Sequence, residues 1–116
     1  MYFGGMAGRY QRAAVMKKIE VTMAHIYLTE SDKRLNQILA KLHDEEKVRG
    51  VTVVRGVTGF GKNGRIHSSS LIDMSFDLPL IIEFFDTDEK VQSIVEHLAD
   101  LLKPGHVVTW PATIFE

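Results

Sequence analysis

Residues 19–29 alternate in character: Ile19, Val21, Met23, His25 and Tyr27 interleave with Glu20, Thr22, Ala24, Ile26 and Leu28. The period of two and the β-branched and aromatic content predict a strand, and the apolar residues in both sets predict that neither face meets water. Ser31 or Asp32 can N-cap the segment that follows, where Leu35, Ile38, Leu39 and Leu42 recur at the i, i+3, i+4, i+7 spacing of one helix face. Lys33, Arg34, Lys41, Asp44, Glu45, Glu46 and Lys47 fall mostly on the other side and read as a solvated face. Gly50 ends the segment as a backbone hinge.

A second strand is predicted over 51–57, with Val51, Val53 and Val57 on one face and Val54 on the other. A third, over 78–85, is almost wholly apolar, with Pro79 confined to its start because proline cannot donate to a sheet ladder. Asp86 and Glu89 have capping-box spacing, and Val91, Ile94, Val95, Leu98, Leu101 and Leu102 form a second helical stripe that Pro104 and Gly105 stop. The last strand, over 106–115, is interrupted by Pro111, which predicts an edge position or a bulge.

The resulting order, β-α-β-loop-β-α-β, predicts a ferredoxin-like α+β sandwich with a four-stranded antiparallel sheet. Right-handed crossovers place both helices on one sheet face. The opposite face would be bare, and its apolar residues predict burial against other copies of the chain.

At 116 residues the chain fits one domain, expected over 17–116, with 1–16 as a flexible extension. Its 45% hydrophobic and 25% charged content match an ordinary globular protein, and no apolar run approaches the roughly 18 residues of a membrane helix. A formal charge of −1 gives no electrostatic reason to expect nucleic acid as a partner. The absence of cysteine excludes disulfides, thiolate nucleophiles and thiolate metal sites, with a cytoplasmic location as the default.

Between the two central apolar runs, residues 59–77 form a connection where a turn of about two to five residues would suffice. It opens with Gly59-Phe60-Gly61-Lys62-Asn63-Gly64, a match to G-x-G-x-x-G. No helical stripe follows those glycines, so the dinucleotide reading fails, and no Lys-Ser or Lys-Thr follows the last glycine as a Walker loop requires. The connection is either a mobile loop without specific function or a ligand or partner loop. For the second reading, Lys62 and Arg65 supply charge, the glycines permit backbone approach, and Ser68, Ser69 and Ser70 supply hydroxyls.

Arg55 and Glu83 each interrupt an apolar strand. A register pairing Thr58 with Leu80 would set them opposite one another as an ion pair; alternatively Arg55 reaches a ligand phosphate or carboxylate. The five histidines show no short metal-binding spacing, so no metal or other cofactor is expected; His67 is the best single candidate for a loop contact. No nucleophile–base set emerges and Gly-x-Ser-x-Gly is absent, so the chain is not expected to be an enzyme.

Gly50-Val51-Thr52-Val53-Val54-Arg55-Gly56, Gly59-Phe60-Gly61, His67, Asp77-Leu78-Pro79, Glu83, Asp86 and Glu89-Lys90 together resemble the PII-like family catalogued as domain of unknown function 190. The resemblance covers roughly 17–116 and is weaker in the first helix, where Lys33-Arg34-Leu35-Asn36-Gln37 replaces a Gly-x-Pro-Leu-Tyr-like segment. It implies a homotrimer in which the long loop takes the place of the effector loop of PII signalling proteins. An adenine nucleotide or other small anion would sit in clefts between subunits, and the loop would engage a membrane transporter or an enzyme, with or without such a ligand, the family being associated with a fluoride exporter. The residues so implicated in ligand binding are Arg55, Gly59, Phe60, Gly61, Lys62, Arg65 and His67. One departure stands out: PII proteins hold phosphates with a glycine-rich loop before the last strand, where this chain has only Lys103-Pro104-Gly105-His106.

Overall fold

A computed structural model of the chain describes residues 16–60, 66–68 and 77–116. The elements are β1 (Lys18–Thr29), α1 (Leu35–Ala40) running into a π-helical turn (Lys41–Glu45), β2 (Gly50–Arg55), β3 (Thr58–Phe60), β4 (Ile66–Ser68), β5 (Pro79–Asp86), α2 (Asp88–His97), a 3₁₀ turn (Ala99–Leu101) and β6 (Val107–Phe115). Four strands make an antiparallel sheet in the order β2-β5-β1-β6. That order, with a helix in each crossover, is the ferredoxin-like sandwich.

Period-two alternation sorts the sheet into two faces. Thr22, Ala24, Ile26 and Leu28 of β1 oppose Asp86, Phe84, Ile82 and Leu80 of β5, and all eight are buried. Ile38 and Leu42 from the first helical segment and Val91, Ile94 and Leu98 from the second close the core over them. Both helical stripes read from the sequence are therefore core-facing.

Several boundaries move, for local reasons. Thr87, rather than Asp86, caps α2: its side chain accepts from the Lys90 N–H at 3.3 Å. Asp86 belongs to β5 and lies buried, accepting from the N–H groups of Thr87 (2.8 Å) and Arg49 (3.2 Å). Neither Ser31 nor Asp32 is the cap of α1; the position before Leu35 is Arg34, without a side-chain cap bond. Asp32 instead accepts from the Arg34 N–H two residues on (2.9 Å) and pairs with the Arg34 guanidinium, whose Nη1 donates to Leu101 O at 2.7 Å. This clamp ties the β1–α1 turn to the end of the second helical segment.

The first helix ends through the π turn, with Glu46 N–H donating to Lys41 O (2.8 Å), and the chain reverses at Lys47, φ 52°. Gly50 is thus not the hinge. It opens β2, where a Cβ would come within 2.7 Å of the Phe85 ring. Pro111 sits in β6 opposite Thr22 without interrupting the strand; β6 is an edge strand, the place where a missing N–H is tolerated.

Candidate functional site

The long connection leaves the sheet between β2 and β5, and its root is built from short-range constraints. Gly56 N–H donates to Pro79 O at 2.8 Å, and a Cβ on Gly56 would lie 2.8 Å from Pro79 Cγ. Gly59 also packs on this ring, with 3.3 Å from its own would-be Cβ to Pro79 Cγ. At Gly56 only a residue without a side chain lets the departing backbone lie this close to the ring; at Gly59 a side chain would require the ring to shift slightly. On the returning side, Glu30 N–H donates to Leu78 O (2.8 Å) and Ser31 N–H to Asp77 Oδ1 (2.9 Å), fastening it to the β1–α1 turn.

The connection is not without secondary structure. β3 and β4 form a two-stranded antiparallel ribbon in which Thr58 opposes Ser68, Gly59 opposes His67 and Phe60 opposes Ile66. Gly59 and His67 are therefore brought together at one register position. Phe60 is 75% exposed and Val57 71%. Gly61, Lys62 and Arg65 lie outside the described residues.

Arg55 does not face Glu83. The β2–β5 register pairs Arg55 with Leu80, three residues from the offset that would have opposed the two charges, and Glu83 faces Thr52 instead. An odd slip puts a strand's side chains on the other face, so Arg55 falls on the helix side of the sheet and Glu83 on the open side. Arg55 Nε instead lies 2.6 Å from Glu30 Oε1 at the loop root, with the Arg55 side chain 65% exposed. Surface pairs of this kind contribute little to stability, and a guanidinium paired through Nε has further N–H donors to offer.

Glu83 has a different partner. On the open face it opposes His25 of β1, and His25 Nε2 lies 2.7 Å from Glu83 Oε2. The imidazole meets Trp110 edge-on (4.6 Å between centroids, 86°) and Tyr27 (5.8 Å, 75°), and its Nδ1 is 3.4 Å from the Tyr27 hydroxyl. The pair is not expected from the sequence, where Glu83 is matched with Arg55 or left without a partner if Arg55 reaches a ligand. The available signal was that His25 is the polar member of an otherwise apolar odd-numbered set in β1.

At the end of the sheet where β6 begins, the turn Lys103-Pro104-Gly105-His106 borders an open apolar cleft of about 270 Å³ lined by Val95, Ala99, Leu102, Lys103, Gly105 and Val107. Gly105 takes φ +81° there. The neighbouring Asp32 carboxyl is held below its ordinary 3.8, first by the Arg34 guanidinium hydrogen bond, with burial opposing; Arg34 is raised in turn by Asp32. Among the described residues no three His, Asp or Glu side chains gather as a metal site, and no helix is long and apolar enough to cross a membrane.

A family profile described as Uncharacterized ACR, domain of unknown function 190, matches residues 21–114. A UPF0166 protein of Methanocaldococcus jannaschii is 29% identical over 94 residues, 78% of this chain and 86% of that protein. The structure of CPII bound to ADP and bicarbonate, from Thiomonas intermedia, superposes with a TM-score of 0.58 at 22% identity, covering 86% of this chain and 91% of CPII. A Thermus thermophilus protein described as a putative PII-like signaling protein gives a TM-score of 0.58 at 13% identity, covering 87% and 93%. At such identities the structural likeness is one of fold. With the profile spanning most of its length, and with the sheet order and long β2–β5 connection described above, the chain belongs to the PII-like family catalogued as domain of unknown function 190.

Proposed function

We infer that the chain is a non-enzymatic PII-like regulatory protein of the cytoplasm. It assembles as a homotrimer through the open sheet face and binds a small anionic effector, of the adenine-nucleotide class, at subunit clefts beside the 59–77 connection. The observation that carries this reading is the loop root. There the glycine-bearing ribbon stands on Pro79 while Arg55, paired with Glu30 at an exposed position, presents donors beside it. The solved relative of the same fold that binds ADP and bicarbonate supports the ligand class. Arg55, Gly59, Phe60, Gly61, Lys62, Arg65 and His67 would contact the effector or change the loop on binding. A signal requires different affinities for two loop states, since a ligand that binds both equally shifts neither.

A second reading is favoured by Phe60 and Val57, both largely exposed at the start of the ribbon. In it the loop docks a protein partner, such as a membrane transporter, without a small ligand. Thermal unfolding in the presence of nucleotides, bicarbonate and other small anions, repeated with Lys62→Ala/Arg65→Ala, separates the two. A ligand at about 100 times its Kd adds ~2.7 kcal/mol, equivalent to roughly 10 °C in Tm for a domain of this size. That shift, diminished in the double variant, supports the first reading. No shift with any anion, together with loop-dependent capture by a transporter, overturns it in favour of the second.

A further inference from the structure

The open face of the sheet is apolar with one polar island. From the register it carries Ile19, Met23, Ile81, Phe85, Val54, Val108, Trp110, Ala112 and Ile114, all without charge, together with Val21, which is already buried in the single chain; Val54, Val108 and Trp110 are the most exposed of them. Within the four strands its ionisable members are His25, Glu83 and Tyr27. His25 and Glu83 lie side by side near the middle of the two central strands. Around His25, β1 contributes Tyr27, β5 contributes Glu83, and β6 contributes Val108 and Trp110, with His106 at its start placing Nδ1 3.3 Å from Tyr27 O. No lysine or arginine faces the pair from these strands, so only the imidazole can neutralise the Glu83 carboxylate from within the face.

The surface suits a second copy of the chain. Four strands about 4.8 Å apart and about eight residues long at ~3.4 Å each give roughly 500 Å² of face, and two such faces reach the ~1,000 Å² that a specific interface needs. Self-association also matches like with like, because each face holds in His25 the group that can neutralise its own Glu83 and requires no cation from the partner.

We propose that burial of this face against other copies is coupled to proton uptake by the His25–Glu83 pair, so that the assembly tightens as pH falls. This rests on the assembly reading given above. With His25 neutral, the pair carries a net charge of −1, and an incompletely matched carboxylate is costly to remove from water. With His25 protonated, the pair is neutral overall, and the short Nε2–Oε2 contact becomes a charge-assisted hydrogen bond. The assembled state therefore binds more protons than the separated chains, and linkage requires tighter association at lower pH.

The test is sedimentation of the full chain over a dilution series at pH 6, 7 and 8, with mild urea added if the assembly survives to the lowest concentration. Wild type should dissociate at protein concentrations at least tenfold lower at pH 6 than at pH 8. Glu83→Gln should reverse the trend: its face is uncharged with His25 neutral and carries +1 with His25 protonated. His25→Gln should associate more weakly than wild type and respond little to pH. The double variant His25→Gln/Glu83→Gln should be insensitive, and His25→Gln carries the test if Glu83→Gln fails to fold. A chain that is monomeric at every pH overturns the assembly reading itself. An assembly whose dissociation is the same from pH 6 to 8, or whose pH response survives in the double variant, overturns this inference alone, the latter by assigning the response to His106 or another group.

Discussion

Replacing Asp86 by alanine tests how this small sandwich joins its layers. The carboxylate is 5% exposed and accepts from the backbone N–H groups of Thr87 at 2.8 Å and Arg49 at 3.2 Å, with Lys90 Nζ 3.5 Å away. It thus links the end of β5, the entry to β2 and the first turn of α2, where a negative charge also meets the favourable end of the helix dipole. Removing a charged acceptor costs about 1.5–3 kcal/mol per hydrogen bond, and the longer Arg49 contact belongs at the low end. Two N–H groups lose their partner, so Asp86→Ala should cost about 3–4 kcal/mol of unfolding free energy. Asp86→Asn keeps one oxygen for Thr87 but sets an NH₂ group or the weaker amide oxygen toward Arg49, and should cost about half as much. Urea unfolding followed by circular dichroism, at fixed protein concentration and with a common m-value, measures both. A loss below about 1 kcal/mol for Asp86→Ala, or equal losses for the two variants, would refute the assignment of Asp86 as a double backbone acceptor.

Two further perturbations probe the loop root and the turn clamp. Gly56→Ala forces a Cβ to within 2.8 Å of the Pro79 ring and should destabilise the chain by about 1–3 kcal/mol, with faster proteolysis in the 59–77 connection; a variant unchanged in both urea midpoint and cleavage rate would contradict the close packing. Asp32 titrates below its ordinary 3.8 in the folded chain because Arg34 holds the charged form. The stability it contributes is therefore present above that value and is lost as pH falls through the lower folded value. Asp32→Asn should flatten the acid side of the stability curve below about pH 4, and an acid limb identical to wild type would exclude the clamp as its source.

The periodicities that could be read without a structure were those whose cause is local. The stripes Leu35-Ile38-Leu42 and Val91-Ile94-Leu98 report which side of a helix faces the core, and both lie against it. Alternation in 19–29 marks a strand, but with apolar residues in both sets it does not say which face the helices cover; the structure puts Ala24, Ile26 and Leu28 there. Caps were less legible because neighbouring residues offer rival oxygens. Asp86 and Thr87 both suit a helix start, and Asp86 is committed instead to the Arg49 and Thr87 amides. The ribbon of β3 and β4 was not visible, since three-residue strands are too short to show a period.

Of the candidate site, the residue types were legible and their partners were not. Arg55 and Glu83 were evident as charges within apolar strands, but a 19-residue connection leaves the pairing offset of the strands it joins undetermined. The tertiary register set Arg55 against Leu80 and so sent it to Glu30, while Glu83 came to His25 across 58 residues of chain. Composition and pattern alone thus determined the order of the four sheet strands and the two helices, the core-facing helix stripes and an apolar second sheet face, because side-chain period and turn chemistry act over a few residues. Only the tertiary structure decided which charges meet, because an odd slip between strands changes the face of every side chain while leaving the sequence pattern equally satisfied.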